Sequence, residues 1–225
     1  MKIHENATVG EIAASRPEAL TVFQELGIDY CCGGKRPLKE ALNEKHTSVD
    51  QFLALVDARE AARMANAGRS DFSAMSPAVL SAYIEDTHHE YLRKALPEIG
   101  ELLLRVLKAH GANHRELYDV YTLYGRLRAD LEQHLVKEET LLFPALVQRG
   151  ETSGEAARLA DEVVSEHEAA GELLRALREA TNDYTVPDDA CPTYLKVYRL
   201  LPELERDLHQ HIHLENNILL KGVAA

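Results

Sequence analysis

A histidine followed four residues later by a glutamate occurs twice in this chain, in closely similar surroundings. HLVKEETLL starts at His134 and HIHLENNIL starts at His211, so Glu138 and Glu215 occupy equivalent places. On an α-helix a spacing of four puts both side chains on one face, one turn apart. A second pair of segments repeats in step, HEYLRKAL from His89 and HEAAGELL from His167. The interval is 78 residues for the second pair and 77 for the first. Packing alone does not require four histidines and two glutamates to recur together. Imidazole nitrogen combined with carboxylate oxygen is a donor set for iron, manganese or zinc. Six side chains are too many for one four-coordinate zinc. The pattern therefore predicts two metal ions held between four helices by His89, His134, Glu138, His167, His211 and Glu215.

A donor count sharpens this expectation. If Glu138 and Glu215 each bridge, they supply four oxygens, and the four histidines supply four nitrogens. Two six-coordinate ions that also share an oxo or hydroxo group then keep about one open position each. Open positions admit small ligands such as O2 or NO.

The elements that must position these residues read as all-α. The chain has 225 residues, rich in Leu, Ala and Glu, without Trp, and its 45% apolar content supports a sizeable core. Residues 1–65 suggest a small helical domain. Thr8 is placed to cap VGEIAASR, Pro17 suits the first turn of PEALTVFQEL, and Gly27 suits its end. Asp29–Gly34, DYCCGG, reads as a turn, and helical stretches follow at 37–44 and 48–64. Residues 66–76 read as a linker. Residues 77–222 read as an up-down-up-down four-helix bundle. Its first helix starts at Ser76-Pro77 and runs to about His110. The second runs from about Asn113 to Phe143, with Pro144 and Gly150 beyond it. The third spans about 155–181, followed by a loop at 182–190, and the fourth runs from Pro192 to about Lys221-Gly222. His89 and His134 each lie about 21 residues from the first hairpin turn, ~32 Å along their helices, so an antiparallel hairpin sets them level.

Charge and composition narrow the function classes. The net charge of −12 repels phosphate backbones and anionic lipid, which argues against nucleic-acid or membrane partners. No apolar run approaches the ~20 residues of a membrane span, and MKIHENATVGEIAAS lacks the apolar core of a secretion signal. Three cysteines do not make a disulfide framework. A soluble, cytoplasmic protein is expected. The N-terminal unit is small for an independent core, which points to a partner surface such as a homodimer.

Other polar residues have quieter readings. His88 lies ~100° around the helix from His89. It replaces His89 only if the register shifts. His209 and His213 flank His211 and read as solvated. His110 and His114 read as cap or surface groups, with His110 an alternative outer partner to a ligand. Glu139 and Glu166 adjoin ligands and read as solvated charges or as the lining of a charged access path. Cys31-Cys32 could close a vicinal disulfide, bind a soft metal or pack; from the residues alone packing is the first reading, while Gly33-Gly34 beside them gives ground to a reactive or metal-handling site. Cys191, beside Pro192, reads as structural.

A ferritin-like site would want Glu-x-x-His on two helices, and Glu85–His88 supplies only one. The His-x-x-x-Glu pairs instead resemble the hemerythrin-type bundle. With DYCCGGK at 29–35, HLVKEETLLFP from His134, SEHEAAGELL from Ser165 and HIHLENN from His211, nearly the whole chain resembles the iron-sulfur cluster repair di-iron proteins. The resemblance implies a non-haem di-iron centre that helps restore clusters damaged by oxidative or nitrosative stress. It implies the same six ligands, damaged iron-sulfur proteins as clients, an electron donor, and a role for Cys31 and Cys32. Iron donation and NO binding or reduction are its two candidate activities. A hemerythrin-like O2 or NO sensor or carrier without repair activity is the alternative. The chain departs from the family at Leu219–Gly222, where the family pattern tends towards the Phe-Pro seen at Phe143-Pro144.

Overall fold

The structure is a computed structural model, and its described residues are 7–16, 18–30, 33–64, 72–149 and 154–223. Cys31, Cys32, Pro17, Gly150 and residues 66–71 of the expected linker lie outside them. The described residues form ten α-helices, a short 3-10 turn at Phe72–Ala74 and three π turns, with no strand. Contacts divide the chain into two compact units, residues 1–80 with 209–222, and residues 81–208 with the C-terminal end.

The first unit is built on helices α1 (Val9–Ser15), α2 (Glu18–Leu26), α3 (Leu38–Glu44) and α4 (Val49–Met64). Local chemistry sets their ends. Thr8 accepts from the Glu11 N–H at 3.2 Å while its own N–H donates to Glu11 at 2.9 Å, a reciprocal capping box. Ser48 and Gln51 repeat the device at α4, at 2.9 and 3.1 Å. Gly27 ends α2 with φ +61, and the Ile28 N–H returns to the Phe23 carbonyl at 2.8 Å. The core stacks Phe23 on Phe52 with ring centroids 4.9 Å apart, and Ile212 from the far end of the chain joins it. Arg16 pairs with Asp57 at 2.6 Å and Glu60 at 2.7 Å, tying the α1–α2 junction to α4.

In the second unit, α6 (Glu90–His110), α7 (Glu116–Lys137), α9 (Gly154–Ala180) and α10 (Pro192–Leu214) share one core. On α6 the buried residues are Leu92, Ala95, Leu96, Ile99, Leu103 and Val106, the three-and-four spacing of one helix face. Helix α7 packs against both α6 and α9. Tyr124, 1% exposed, donates from its hydroxyl to the Leu96 carbonyl at 2.7 Å. After α9 the chain reverses through Asn182, Asp183 and Tyr184, all left-handed, with φ of 49, 58 and 56. Burial of the Tyr184 ring beneath Arg178, 5.1 Å from its centroid, offsets that backbone strain.

The helix ends depart from the sequence reading in one instructive place. The second bundle helix was expected to stop at Phe143, before Pro144. It continues through a π turn at Glu138–Leu142 into α8 (Phe143–Arg149). The Phe143 N–H reaches back five residues to the Glu138 carbonyl. The hydrogen-bond ladder is therefore already out of α register where Pro144 lacks a donor, and the widened turn relieves the ring's clash with the preceding carbonyl. The other π turns lie at Glu85–His89, between α5 (Pro77–Ile84) and α6, and at Glu215–Leu219, after α10. The last ends the fourth helix at Leu219, and Gly222 follows with φ +86. Among the described residues no helix is long and apolar enough to cross a membrane.

Replacing Tyr124 by Phe removes a buried hydrogen bond and leaves the Leu96 carbonyl with one partner fewer. A loss of about 1 kcal/mol is expected from urea unfolding of the variant, with the m-value unchanged.

Candidate metal centre

In the second unit, four of the six expected ligands converge from three helical runs. His89 closes the first π turn, His134 and Glu138 straddle the end of α7, and His167 lies midway along α9. The Glu138 carboxylate is at the centre. One oxygen lies 3.3 Å from His89 Nε2 and 3.3 Å from His134 Nε2, and the other lies 3.8 Å from His167 Nε2. His134 Nε2 and His167 Nε2 are 3.2 Å apart. In the first unit, His211 Nε2 lies 3.1 Å from Glu215 at the junction of α10 with its π turn. All six residues are buried, none more than 4% exposed. Within the second unit His134, Glu138 and His167 offer ligand atoms that lie within 4.8 Å of one another.

These spacings suit a metal. Two nitrogens bound at ~2.1 Å to one ion stand ~3.0 Å apart at a right angle and ~3.4 Å apart at a tetrahedral angle. The observed separations of 3.1 to 3.3 Å fall in that range, and the 3.8 Å of His167 lies just beyond it. Buried carboxylates also need compensating positive charge, which a cation between them and the imidazoles would supply.

A surrounding layer of carboxylates orients the imidazoles. His89 Nδ1 is 2.6 Å from Glu139, whose two oxygens also accept from Arg93 at 2.5 and 2.6 Å. His134 Nδ1 is 2.8 Å from Glu166, which also accepts from Lys137. Each carboxylate accepts the Nδ1 proton and leaves Nε2 for the cluster, the arrangement that fixes the tautomer of metal-binding histidines. Hydrogen bonding from His134, joined by Lys137, holds the Glu166 carboxyl down at about 2. Burial opposes ionisation of Glu139, but His89 and Arg93 outweigh it and keep that carboxyl below its ordinary range. The Phe143 ring stacks on His89 at 5.8 Å, so the residue expected to end the helix covers a ligand.

The sequence reading took Glu139 and Glu166 for solvated charges or an access path, and it missed their partnership with His89 and His134. Those partners lie on other helices, which no spacing along one helix reveals. The π turns went unread for the same reason. His88, the alternative to His89, is also buried, and its Nδ1 faces Asp207 at 3.0 Å. His209 is half-buried against Tyr30. His213 corrects the solvated reading outright. It is 2% exposed, its ring meets Tyr30 edge-on at 5.7 Å, and burial pushes it down to about 4. Asn217 donates to His213 Nδ1 at 3.1 Å and to the Tyr30 carbonyl at 3.3 Å. Gly10 and Gly34 close around Asn217 so tightly that a Cβ on Gly10 would come within 2.2 Å of its side-chain oxygen. The turn at Tyr30 and Gly33-Gly34 is thus anchored two residues beyond Glu215. Cys31 and Cys32 lie outside the described residues.

Glu139→Gln and Glu166→Gln keep side-chain size but weaken the acceptors that orient His89 and His134. Each is expected to lower metal affinity ~10–100-fold, read by competition with a chelator, while far-UV circular dichroism stays unchanged.

Two family matches agree with this geometry. Residues 80–222 match the hemerythrin HHE cation binding domain, and residues 5–59 match a domain of unknown function (DUF542). The chain is 32% identical to the iron-sulfur cluster repair protein ScdA of Staphylococcus haemolyticus over 96% of its length and 97% of that protein's. It is 34% identical to the iron-sulfur cluster repair protein YtfE of Pectobacterium atrosepticum, covering 96% of each chain. With YtfE of Escherichia coli O81 it shares 33% identity over 99% of its length and 98% of that protein's. A buried cluster of histidines and glutamates in a hemerythrin-type domain, together with 32–34% identity to these relatives over nearly the whole length of both chains, places the chain in the family of ScdA and YtfE iron-sulfur cluster repair proteins.

Proposed function

We propose that this chain is a di-iron protein that repairs iron-sulfur clusters damaged by oxidative or nitrosative stress. His89, His134, Glu138, His167, His211 and Glu215 would hold two irons. The observation that carries this reading is the Glu138 carboxylate, fully buried, with one oxygen towards His89 and His134 and the other towards His167. When bound, a ferrous pair supplies open positions for NO or O2, reducing equivalents for NO, and iron that can pass to a damaged cluster.

The chain's own residues account for the rest. Burial of all six ligands excludes bulk water and strengthens the hold of carboxylate on cation. Glu139 and Glu166 keep the Nδ1 protons of His89 and His134, so both imidazoles bind as neutral donors through Nε2. Arg93 and Lys137 balance the charge of those outer carboxylates. Damaged iron-sulfur proteins are the proposed clients. An external electron donor completes any reductive cycle, with Cys31 and Cys32 as the redox or docking element.

Protein purified from iron-replete cells without chelator is expected to carry close to two irons per chain, and Glu138→Ala to lose most of both. Incubated with a client whose cluster NO has damaged, the iron-loaded protein should restore client activity, and the Glu138→Ala variant should not. Near-zero iron after anaerobic reconstitution with Fe(II) would overturn the metal assignment. Full iron occupancy with no client recovery would overturn the repair assignment.

A further inference from the structure

The turn between α6 and α7 holds a second group of metal-binding side chains that the cluster around Glu138 does not use. His110 is the last residue of α6 and His114 lies just before α7, a His-x3-His spacing across a tight turn. Asp189 comes from the loop before α10. One ligand atom from each lies within 4.8 Å of the other two. From the start of α6 at Glu90, His110 is ~30 Å along the helix, so this group is separate from the ligands near His89.

We propose that His110, His114 and Asp189 form a binding site for one divalent transition-metal ion of the zinc type. Two nitrogens, one oxygen and an open fourth position are a recognised zinc donor set. His114 is already arranged as a ligand. Its Nδ1 lies 2.9 Å from Glu116, and its Nε2 lies 2.9 Å from an Asp189 oxygen. That second distance is close to the ~3.0 Å expected between donors sharing one ion at a right angle. The outer carboxylate on Nδ1 repeats what Glu139 does for His89 and Glu166 for His134.

His110 has a polar partner in the Cys191 thiol. The N–H of Tyr194, then His110, hold that thiol below its ordinary range. Both imidazoles also pack edge-on against Tyr194, a wholly buried ring, with centroids at 5.3 and 5.7 Å. An ion at His114 Nε2 would add His110 to the same centre. It would clip the α6–α7 turn to the loop before α10 and stabilise the folded chain by mass action.

The test is zinc uptake by the iron-loaded full-length protein, with zinc and iron counted separately. One added zinc per chain is expected, with no loss of iron and a rise in Tm. Asp189→Asn sits on an exposed loop residue and leaves the core intact. It should weaken zinc binding at least ~10-fold, Glu116→Gln should weaken it ~10–100-fold, and H110A/H114A should abolish it. Iron content should stay at the wild-type level in all three. No zinc uptake, uptake only in exchange for iron, or uptake equal in H110A/H114A would overturn the proposal. Because iron is read independently, failure here is distinct from failure of the di-iron assignment.

Discussion

A carboxylate with no solvent-exposed surface is costly unless positive charge meets it, and Glu138 and Glu215 are both in that position. Imidazoles stand against them at 3.1 to 3.8 Å. Imidazole is a weak base and a good metal donor, so this arrangement calls for a cation rather than several protons. Much of the rest follows from that demand. Outside the imidazoles stand carboxylates, Glu139 and Glu166, and outside these stand Arg93 and Lys137. Charge alternates from the centre to the surface, so each layer compensates the one within it.

The helices meet this demand by a change of pitch at the ligands. His89 ends one π turn, while Glu138 and Glu215 each begin another. A π turn inserts one residue into the helical ladder at a cost in stability, and such turns concentrate at functional sites. Away from the site the same helices are ordinary amphipathic ones, with Leu, Val and Tyr on a single face. The distortion is therefore local and falls where the side chains carry chemistry.

The N-terminal unit shows a different use of polar contacts. Asn217, two residues beyond Glu215, holds the backbone at Tyr30 and the ring of His213 with one amide group. Gly10 and Gly34 are small because Asn217 occupies the space a side chain would need. The backbone at Tyr30 and at Gly34 is thus held to the residues just after a candidate ligand, within one compact unit.

The sequence by itself determined the helical class, the capping at Thr8 and the stop at Gly27, because these depend on neighbours within four or five residues. It also put forward six candidate ligands, because a duplication keeps residues in step and the helical period turns spacing into direction. Only the tertiary structure decided how Glu139 and Glu166 are used, since their partners, His89 and His134, lie on other helices. The same holds for His213, whose neighbour Tyr30 is nearly the whole chain away, and for His114, which meets Asp189 only when the α6–α7 turn and the loop before α10 come together. Pro144 shows the limit most clearly. Its chemistry forbids an ordinary α-helical hydrogen bond, and read alone it ends a helix. The π turn at Glu138 removes that conflict, and a turn of that kind answers to packing between helices, not to local propensity.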